Sequence, residues 1–500
     1  MSRRLPRTLF ATCLALLAAA AAARAAVPLP EVSGPLRATA GSYPFGAADH
    51  QRRPQRLGRV GYVEEEYLVR GRANVYDWPD AGGAVVRTAD APYATRVLVR
   101  RPARTRRASG TVWVEMLNPS NMFDLNIGWA LTHREYVRRG DAWVGITAKP
   151  VALQALKTFD PRRYGSLSFA NPLPAGDPRN CPVTGDSTQA TENGLVWDVN
   201  SQVAAWIRSR APSNPFRRAG RALRVYGFGY SQTGGYLATY VGALHRRVTR
   251  ENGGRPLFDA YLIGAAGGAF TGLVPINQCA AVPPLGDPRF EIRDLGVPVI
   301  RAMTQSDYLA GIAARRADGD RRDDRYRHYE LAGAAHATPD ELYYAAAPAD
   351  IARAGRTVPS LMCDEGPRSR FPSSALFDAL ARHLDRWVRR GIAPPPGRTI
   401  RVRDGAAVLD RFGNVVGGVR SPDVDVPIST WSGTTTGPGF CGIAGAEHRF
   451  SAARLRALYP THGTYVRAVG RDARRLQHSR YLTAAGALRL VGAARRARVP

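Results

Sequence analysis

Leu223-Arg-Val-Tyr-Gly-Phe228 is an apolar run fit for a buried strand, and it leads directly into Gly229-Tyr230-Ser231-Gln232-Thr233-Gly234-Gly235. Beyond that turn, Leu237, Tyr240, Val241 and Leu244 recur at i, i+3, i+4 and i+7, the spacing of one helix face. A strand that hands over to a helix through a Gly-x-Ser turn is the setting of a nucleophile elbow. The turn is tight, so the residues two before and two after the serine must be small. Here they are Gly229 and Thr233, the second bulkier than the glycine of the pattern. Such a turn would expose Ser231 Oγ at the C-terminal edge of a sheet. The N–H of Gln232, at a helix N-terminus, would then face developing negative charge. The plainer alternative is a Gly-rich helix start with an N-capping serine.

A serine hydroxyl is a weak nucleophile without a base and an orienting acid, which in this setting follow in the order Ser, Asp/Glu, His. Val297 to Met303 reads as a buried strand, and Asp307 is the first carboxylate in the loop that follows it. Tyr326 to Leu331 is the next strand, followed by Ala332-Gly-Ala-Ala-His336. Both loops should emerge on the same sheet edge as Ser231, with His336 as general base and Asp307 holding its tautomer. Asp318, Asp320, Asp323, Asp324 and Asp340 are nearby competitors for the acid. The other eight histidines fit less well: His328 lies within a strand, His50 precedes the sheet, and His133, His245 and His383 fall in helices. His448, His462 and His478 come after the core. A second oxyanion donor belongs in the loop after the 111–117 strand, Asn118-Pro-Ser-Asn121, with Ser120 or Asn121 favoured.

Working outward, the chain alternates strands and helices from residue 110 onward. Thr111–Leu117 and Ala142–Thr147 read as strands around a helix from Ile127 to Arg139 closed by Gly140, and Val196–Arg208 and Ser374–Arg390 read as helices. Phe258–Ile263 is a further strand. This alternation implies parallel βαβ units, an α/β class with helices on both faces of a mostly parallel sheet. Strand-like runs at 61–69, 73–76 and 93–99 precede it, and a hairpin is expected at 408–416 around Gly413-Asn414, followed by two or three short helices. The expected divisions are a signal segment at 1–25, an N-terminal extension with strands at 26–89, a core at 90–392 and a C-terminal decoration at 393–500. Pro/Gly-rich segments at 148–194 and 265–295 would wall the pocket.

Arg3, Arg4 and Arg7, the apolar stretch 8–23 and Ala23-Arg24-Ala25 have the parts of a secretory signal. They point to a secreted or periplasmic protein through the general route rather than twin-arginine export, because Pro6 sits badly in the latter pattern. The formal charge of the 500 residues is +29, with 68 Arg and only two Lys, Lys149 and Lys157. So lopsided a ratio suits a GC-rich coding sequence better than a nucleic-acid groove, and no nucleic-acid partner is expected. Residues 451–500 hold 11 Arg against one acid, Asp472; a solvated basic face is the reading, with an anionic surface as the alternative. After cleavage four cysteines remain, Cys181, Cys279, Cys363 and Cys441, which permit two disulfides in three connectivities. Asp318-Gly-Asp320 with Asp323 and Asp324 lacks calcium-loop spacing, and no phosphate loop, dinucleotide fingerprint or zinc motif occurs, so no cofactor and no metal are inferred.

With those residues in place, the chain resembles a family of large secreted α/β-hydrolase-fold proteins, the alpha/beta hydrolase domain family. The likeness rests on Gly61-Tyr-Val-Glu-Glu-Glu-Tyr67, Thr95-Arg-Val-Leu-Val-Arg-Arg-Pro102 and Val114-Glu-Met-Leu-Asn-Pro119. It continues through Tyr230-Ser-Gln-Thr-Gly234, Glu330-Leu-Ala-Gly-Ala-Ala-His336 and Gly413-Asn-Val-Val-Gly-Gly-Val-Arg-Ser-Pro-Asp423. The resemblance implies Ser231 and His336 as nucleophile and base, and Asp307 as acid. The expectation is therefore an exported serine hydrolase of carboxylic esters acting on a small or polymeric ester. An acyltransferase on the same residues, or a silent binding protein of the same fold that engages anionic surfaces, are the alternatives. A Cys181–Cys279 bridge would clamp the two pocket walls, leaving Cys363 for Cys441.

Overall fold

The apolar runs of the central segment become strands because each is bounded by turn residues and short enough to be buried from end to end. In the computed structural model, which describes residues 27–80, 82–181, 188–219, 223–266, 273–284, 286–312 and 315–499, they join in one sheet. The strands are β1 (Glu31–Ser33), β2 (Tyr62–Asp77), β3 (Val85–Pro102), β4 (Thr111–Leu117), β5 (Ala142–Thr147) and β6 (Arg224–Tyr230). After them come β7 (Ala260–Gly264), β8 (Val299–Thr304), β9 (Gly319–Asp320) and β10 (Arg325–Leu331). Their spatial order is β1-β2-β3-β5-β4-β6-β7-β8-β10-β9. The pairs from β5 through β4, β6, β7 and β8 to β10 are parallel, while β1, β2 and β3 on one side and β9 on the other run antiparallel. The signal segment expected at 1–25 lies outside the described residues.

Every residue of β4 and β5 is buried, as expected of strands covered by helices on both faces. Helix α1 (Ile127–Arg139) ends where Gly140 takes a left-handed turn and returns its N–H to the carbonyls of Tyr136 and Val137. Its other end is held from within the sheet. The Glu115 carboxylate of β4 accepts the N–H of Gly128 at 2.6 Å, that of Trp129 at 3.2 Å and the indole N–H of Trp143 at 2.7 Å. Loss of hydration pushes the Glu115 pKa up to about 7, against those hydrogen bonds.

Some elements differ from the sequence reading. The runs 61–69 and 73–76 are one continuous strand, β2, whose ladder with β3 passes through Gly71 and Arg72 before register shifts near Val75. The hairpin expected at 408–416 is present in short form: Leu409 bridges Val415 antiparallel, the Val416 N–H bonds the Val408 carbonyl and the Asp410 N–H that of Asn414, both at 2.8 Å, and a two-residue ladder forms earlier, between Val402–Arg403 and Ala406–Ala407. The segment 148–194 carries helix α2 (Pro150–Phe159). Of the later helices, α3 (Val196–Arg208), α4 (Gln232–Thr239) and α5 (Ser373–Arg390) flank the sheet. The C-terminal helices are longer than expected: α6 (His462–His478) and α7 (Ala484–Arg496) follow a shorter one at Ala452–Leu458.

Several of the tail arginines are structural. Arg489 pairs with buried Asp378 of α5 at 2.6 Å, Arg475 with Asp425 at 2.7 Å, and Arg480 donates to the Ala393 carbonyl at 2.9 Å. The cysteines pair as Cys181 with Cys279 and Cys363 with Cys441, with Cα separations of 5.4 and 5.6 Å. Among the described residues no helix is long and apolar enough to cross a membrane.

Candidate active site

Strand β6 enters the turn with Gly229 and Tyr230, and Ser231 sits at its apex with φ +58° and ψ −127°. A non-glycine residue at positive φ costs on the order of 1–3 kcal/mol and persists only where its surroundings hold it. Here the Ser231 N–H is tied to the Gly264 carbonyl at 3.0 Å, and its own carbonyl accepts the Gly235 N–H at 3.0 Å. The crowding falls on two glycines. A Cβ on Gly229 would stand 2.2 Å from the Thr233 carbonyl oxygen, and one on Gly234 would stand 2.5 Å from that of Gly264.

Thr233, the departure from the expected pattern, is buried, and its hydroxyl spans the turn. It accepts the Tyr230 N–H at 3.3 Å and donates to the Tyr230 carbonyl at 3.1 Å. The close approach that excludes a side chain falls one residue later, on Gly234. Gly229→Ala is therefore expected to destabilise the fold by about 3 kcal/mol, read as a lowered denaturant midpoint, and to misplace Ser231 Oγ. A Gly229→Ala chain as stable as the wild type would show that the turn is not held by this contact.

The sheet edge then brings the other residues to the serine. His336, five residues beyond β10, holds Nε2 2.7 Å from Ser231 Oγ. Its Nδ1 lies 2.8 Å from Asp307 Oδ1, three residues beyond β8. Asp307 is fully buried and also accepts the hydroxyl of Thr304. Burial alone would lower the His336 pKa; the Asp307 carboxylate, by charge and hydrogen bond, and the charge of Glu341 outweigh it and raise the value above the ordinary one. His133, His245 and His383, by contrast, are buried in helices with pKa values pulled down to about 3, 4 and 4 by lost hydration. Four of the five competing acids are engaged elsewhere: Asp324 pairs with Arg316, Asp318 and Asp320 with Arg327, and Asp323 with Arg321.

The loop after β4 stands against the elbow. Asn118 Nδ2 donates to the Tyr230 carbonyl at 3.0 Å, and Ser120 Oγ lies 3.4 Å from Gln232 Oε1. The Asn118 N–H bonds the Leu125 carbonyl and the Ser120 N–H bonds Asn118 Oδ1, both at 2.8 Å. Asn121 thus carries the loop N–H that these bonds leave over. Gln232 opens α4, and the first N–H groups of a helix have no acceptor within it.

Several supports carry no signature in the sequence. Ser306 Oγ accepts the His336 N–H at 3.0 Å and reaches the carbonyls of Gly433 and Ile443. Gln305 donates to the Trp431 carbonyl at 3.1 Å and accepts the Gly333 N–H at 2.7 Å. The Tyr230 hydroxyl donates to the His336 carbonyl at 2.9 Å. The C-terminal segment around 431–443 therefore braces both loops, and the Cys363–Cys441 bridge anchors it. Glu341, buried and paired with Arg368 at 3.1 Å, has its pKa pushed up to about 7 by lost hydration.

The profile of one family, described as alpha/beta hydrolase domain, matches residues 32–492. The chain belongs to the alpha/beta hydrolase domain family. Its mostly parallel sheet with flanking helices is the fold of that family. No curated protein matches the chain. Among solved structures, esterase Est22 shares 15% identity over 62% of this chain and 82% of its own, with a TM-score of 0.31. An esterase from Rhizomucor miehei shares 10% over 71% and 94%, with a TM-score of 0.33. A serine hydrolase without lid from Xanthomonas campestris shares 11% over 52% and 84%, with a TM-score of 0.25.

Proposed function

We propose that the protein is an exported serine hydrolase that cleaves carboxylic esters through Ser231, His336 and Asp307. The observation that carries this reading is the unbroken relay from Ser231 Oγ to His336 Nε2 and from His336 Nδ1 to Asp307, at 2.7 and 2.8 Å, on a strained serine. In the first step Ser231 Oγ attacks the ester carbonyl while His336 Nε2 takes its proton. Asp307 keeps the Nδ1–H tautomer and stabilises the imidazolium that forms. The tetrahedral oxyanion is received by the N–H groups of Gln232 and Asn121. His336 then gives the proton to the departing alcohol, leaving an acyl group on Ser231. A water deprotonated by His336 releases the acid and restores the serine.

Export is supported by the signal-like first 25 residues and by two cysteine pairs at bonding distance, since disulfides persist in oxidising compartments. The decisive experiment is labelling of the purified protein with a fluorophosphonate, followed by peptide mass spectrometry. A single adduct on Ser231 that disappears in His336→Ala is expected. A folded protein that takes no label and turns over no small ester would refute the reading.

A further inference from the structure

The edge of the sheet opposite Ser231 holds a cavity of about 410 Å³ lined by Ser109, Arg139, Arg382, Asp385, Arg386, Arg389 and Arg390. Five guanidinium groups thus face one carboxylate. Asp385 is already committed: it binds Arg139 and Arg389, the latter at 2.8 Å, and accepts the hydroxyls of Thr111 and Tyr226, each at 3.0 Å. Arg382, Arg386 and Arg390 recur at i, i+4 and i+8 of α5, so they stack along one face of the helix. Among the described residues none of these three has a carboxylate partner within ion-pair distance. The Arg386 Nε–H is buried without an acceptor. Burial, and the positive charges of Arg138, Arg139 and Arg386, also disfavour the charged form of Arg382 more than Glu135 supports it.

Like charges gathered around a cavity, with a donor left unmet, are relieved by an anion. The guanidinium fork matches phosphate oxygens two at a time, and the space exceeds what one phosphate group fills. The geometry points to a second site, remote from Ser231, that binds a multiply charged phosphate group through Arg382, Arg386 and Arg390. That group could be carried by a free phosphate compound or by a lipid headgroup.

The test is calorimetric titration of the full-length protein with pyrophosphate at fixed ionic strength in a phosphate-free buffer, alongside flotation with vesicles containing phosphatidic acid, whose headgroup is a phosphomonoester. One-to-one pyrophosphate binding is expected, weakened at least about tenfold in R382Q/R386Q. It should be unchanged in R456Q/R471Q, which removes two exposed tail arginines without touching the cavity. The two arms separate the sources. Pyrophosphate binding without flotation assigns a soluble phosphate compound. Flotation that R382Q/R386Q abolishes and R456Q/R471Q does not assigns a headgroup. Absence of both, or equal loss in the two double variants, would overturn the site and leave only general attraction to a basic protein. Neither variant touches the Ser231 relay, so ester turnover by R382Q/R386Q should equal the wild type and reports that the fold is intact.

Discussion

Ser231→Ala is expected to cut kcat for p-nitrophenyl acetate by at least about 10⁴-fold, because in the proposed mechanism it removes the atom that forms the acyl-enzyme. His336→Ala should fall nearly as far, and the double variant little further, since residues acting as one unit are not additive. Stability separates this from unfolding. Alanine inherits the positive φ of Ser231, +58°, so the Ser231→Ala chain should melt close to the wild type. Glycine relieves that strain: Ser231→Gly should be equally inactive yet about 1 kcal/mol more stable, a sign that the conformation is kept for chemistry at some cost to the fold. Turnover within tenfold of wild type in Ser231→Ala would sink the assignment of the nucleophile.

The parallel core was legible because its strands are buried on both faces and read as plain apolar runs between turn residues. Helix α1 needed only the apolar spacing from Ile127 and the glycine at 140 to be bounded correctly. The antiparallel side was harder. Gly71 and Arg72 interrupt the apolar pattern of β2, yet backbone pairing with β3 carries the strand through them, because a ladder does not depend on side-chain polarity. The hairpin at 408–416 was easier, because its signal is local. Its Gly413-Asn414 pair closes the turn as the local rule requires, while the bonds of the Asn414 side chain to the backbone of Ser429 and Trp431 have no local signal.

In the candidate site, the order of loops along one sheet edge was enough to bring Ser231, Asp307 and His336 together, and the structure places them within hydrogen-bond reach. Such an argument uses only connectivity and the parallel direction of the strands. What holds those loops could not be reached that way. Ser306 and Gln305 bind carbonyls at 431, 433 and 443, more than a hundred residues away, and a backbone carbonyl has no residue type to betray it. Thr233 looked like a misfit because the pattern treats its position as a matter of size alone. Its hydroxyl instead supplies two bonds to Tyr230 that a glycine could not make.

Asp307→Asn should leave the fold in place and lower kcat by about 10⁴-fold, through the tautomer of His336. Thr304 donates its hydroxyl to one Asp307 oxygen while the other meets His336 Nδ1. In the amide, the carbonyl oxygen keeps the Thr304 bond and the NH₂ faces Nδ1, which forces the proton onto Nε2, where it opposes Ser231. The pH profile provides an independent readout. In the wild type His336 titrates above the ordinary histidine value of about 6.5, so the acid limb of kcat/KM should lie above that pH. Its contribution to stability has the opposite sense. It is complete below the unfolded-state pKa and is lost as pH rises through the raised folded value, so over that interval activity climbs while this contribution falls. With asparagine at 307 the attraction is gone and burial dominates, leaving only the charge of Glu341 to oppose it, and the acid limb should move to lower pH. Loss of activity with an unmoved acid limb would mean that Asp307 acts through the fold alone, and activity within tenfold of wild type would remove it from the relay.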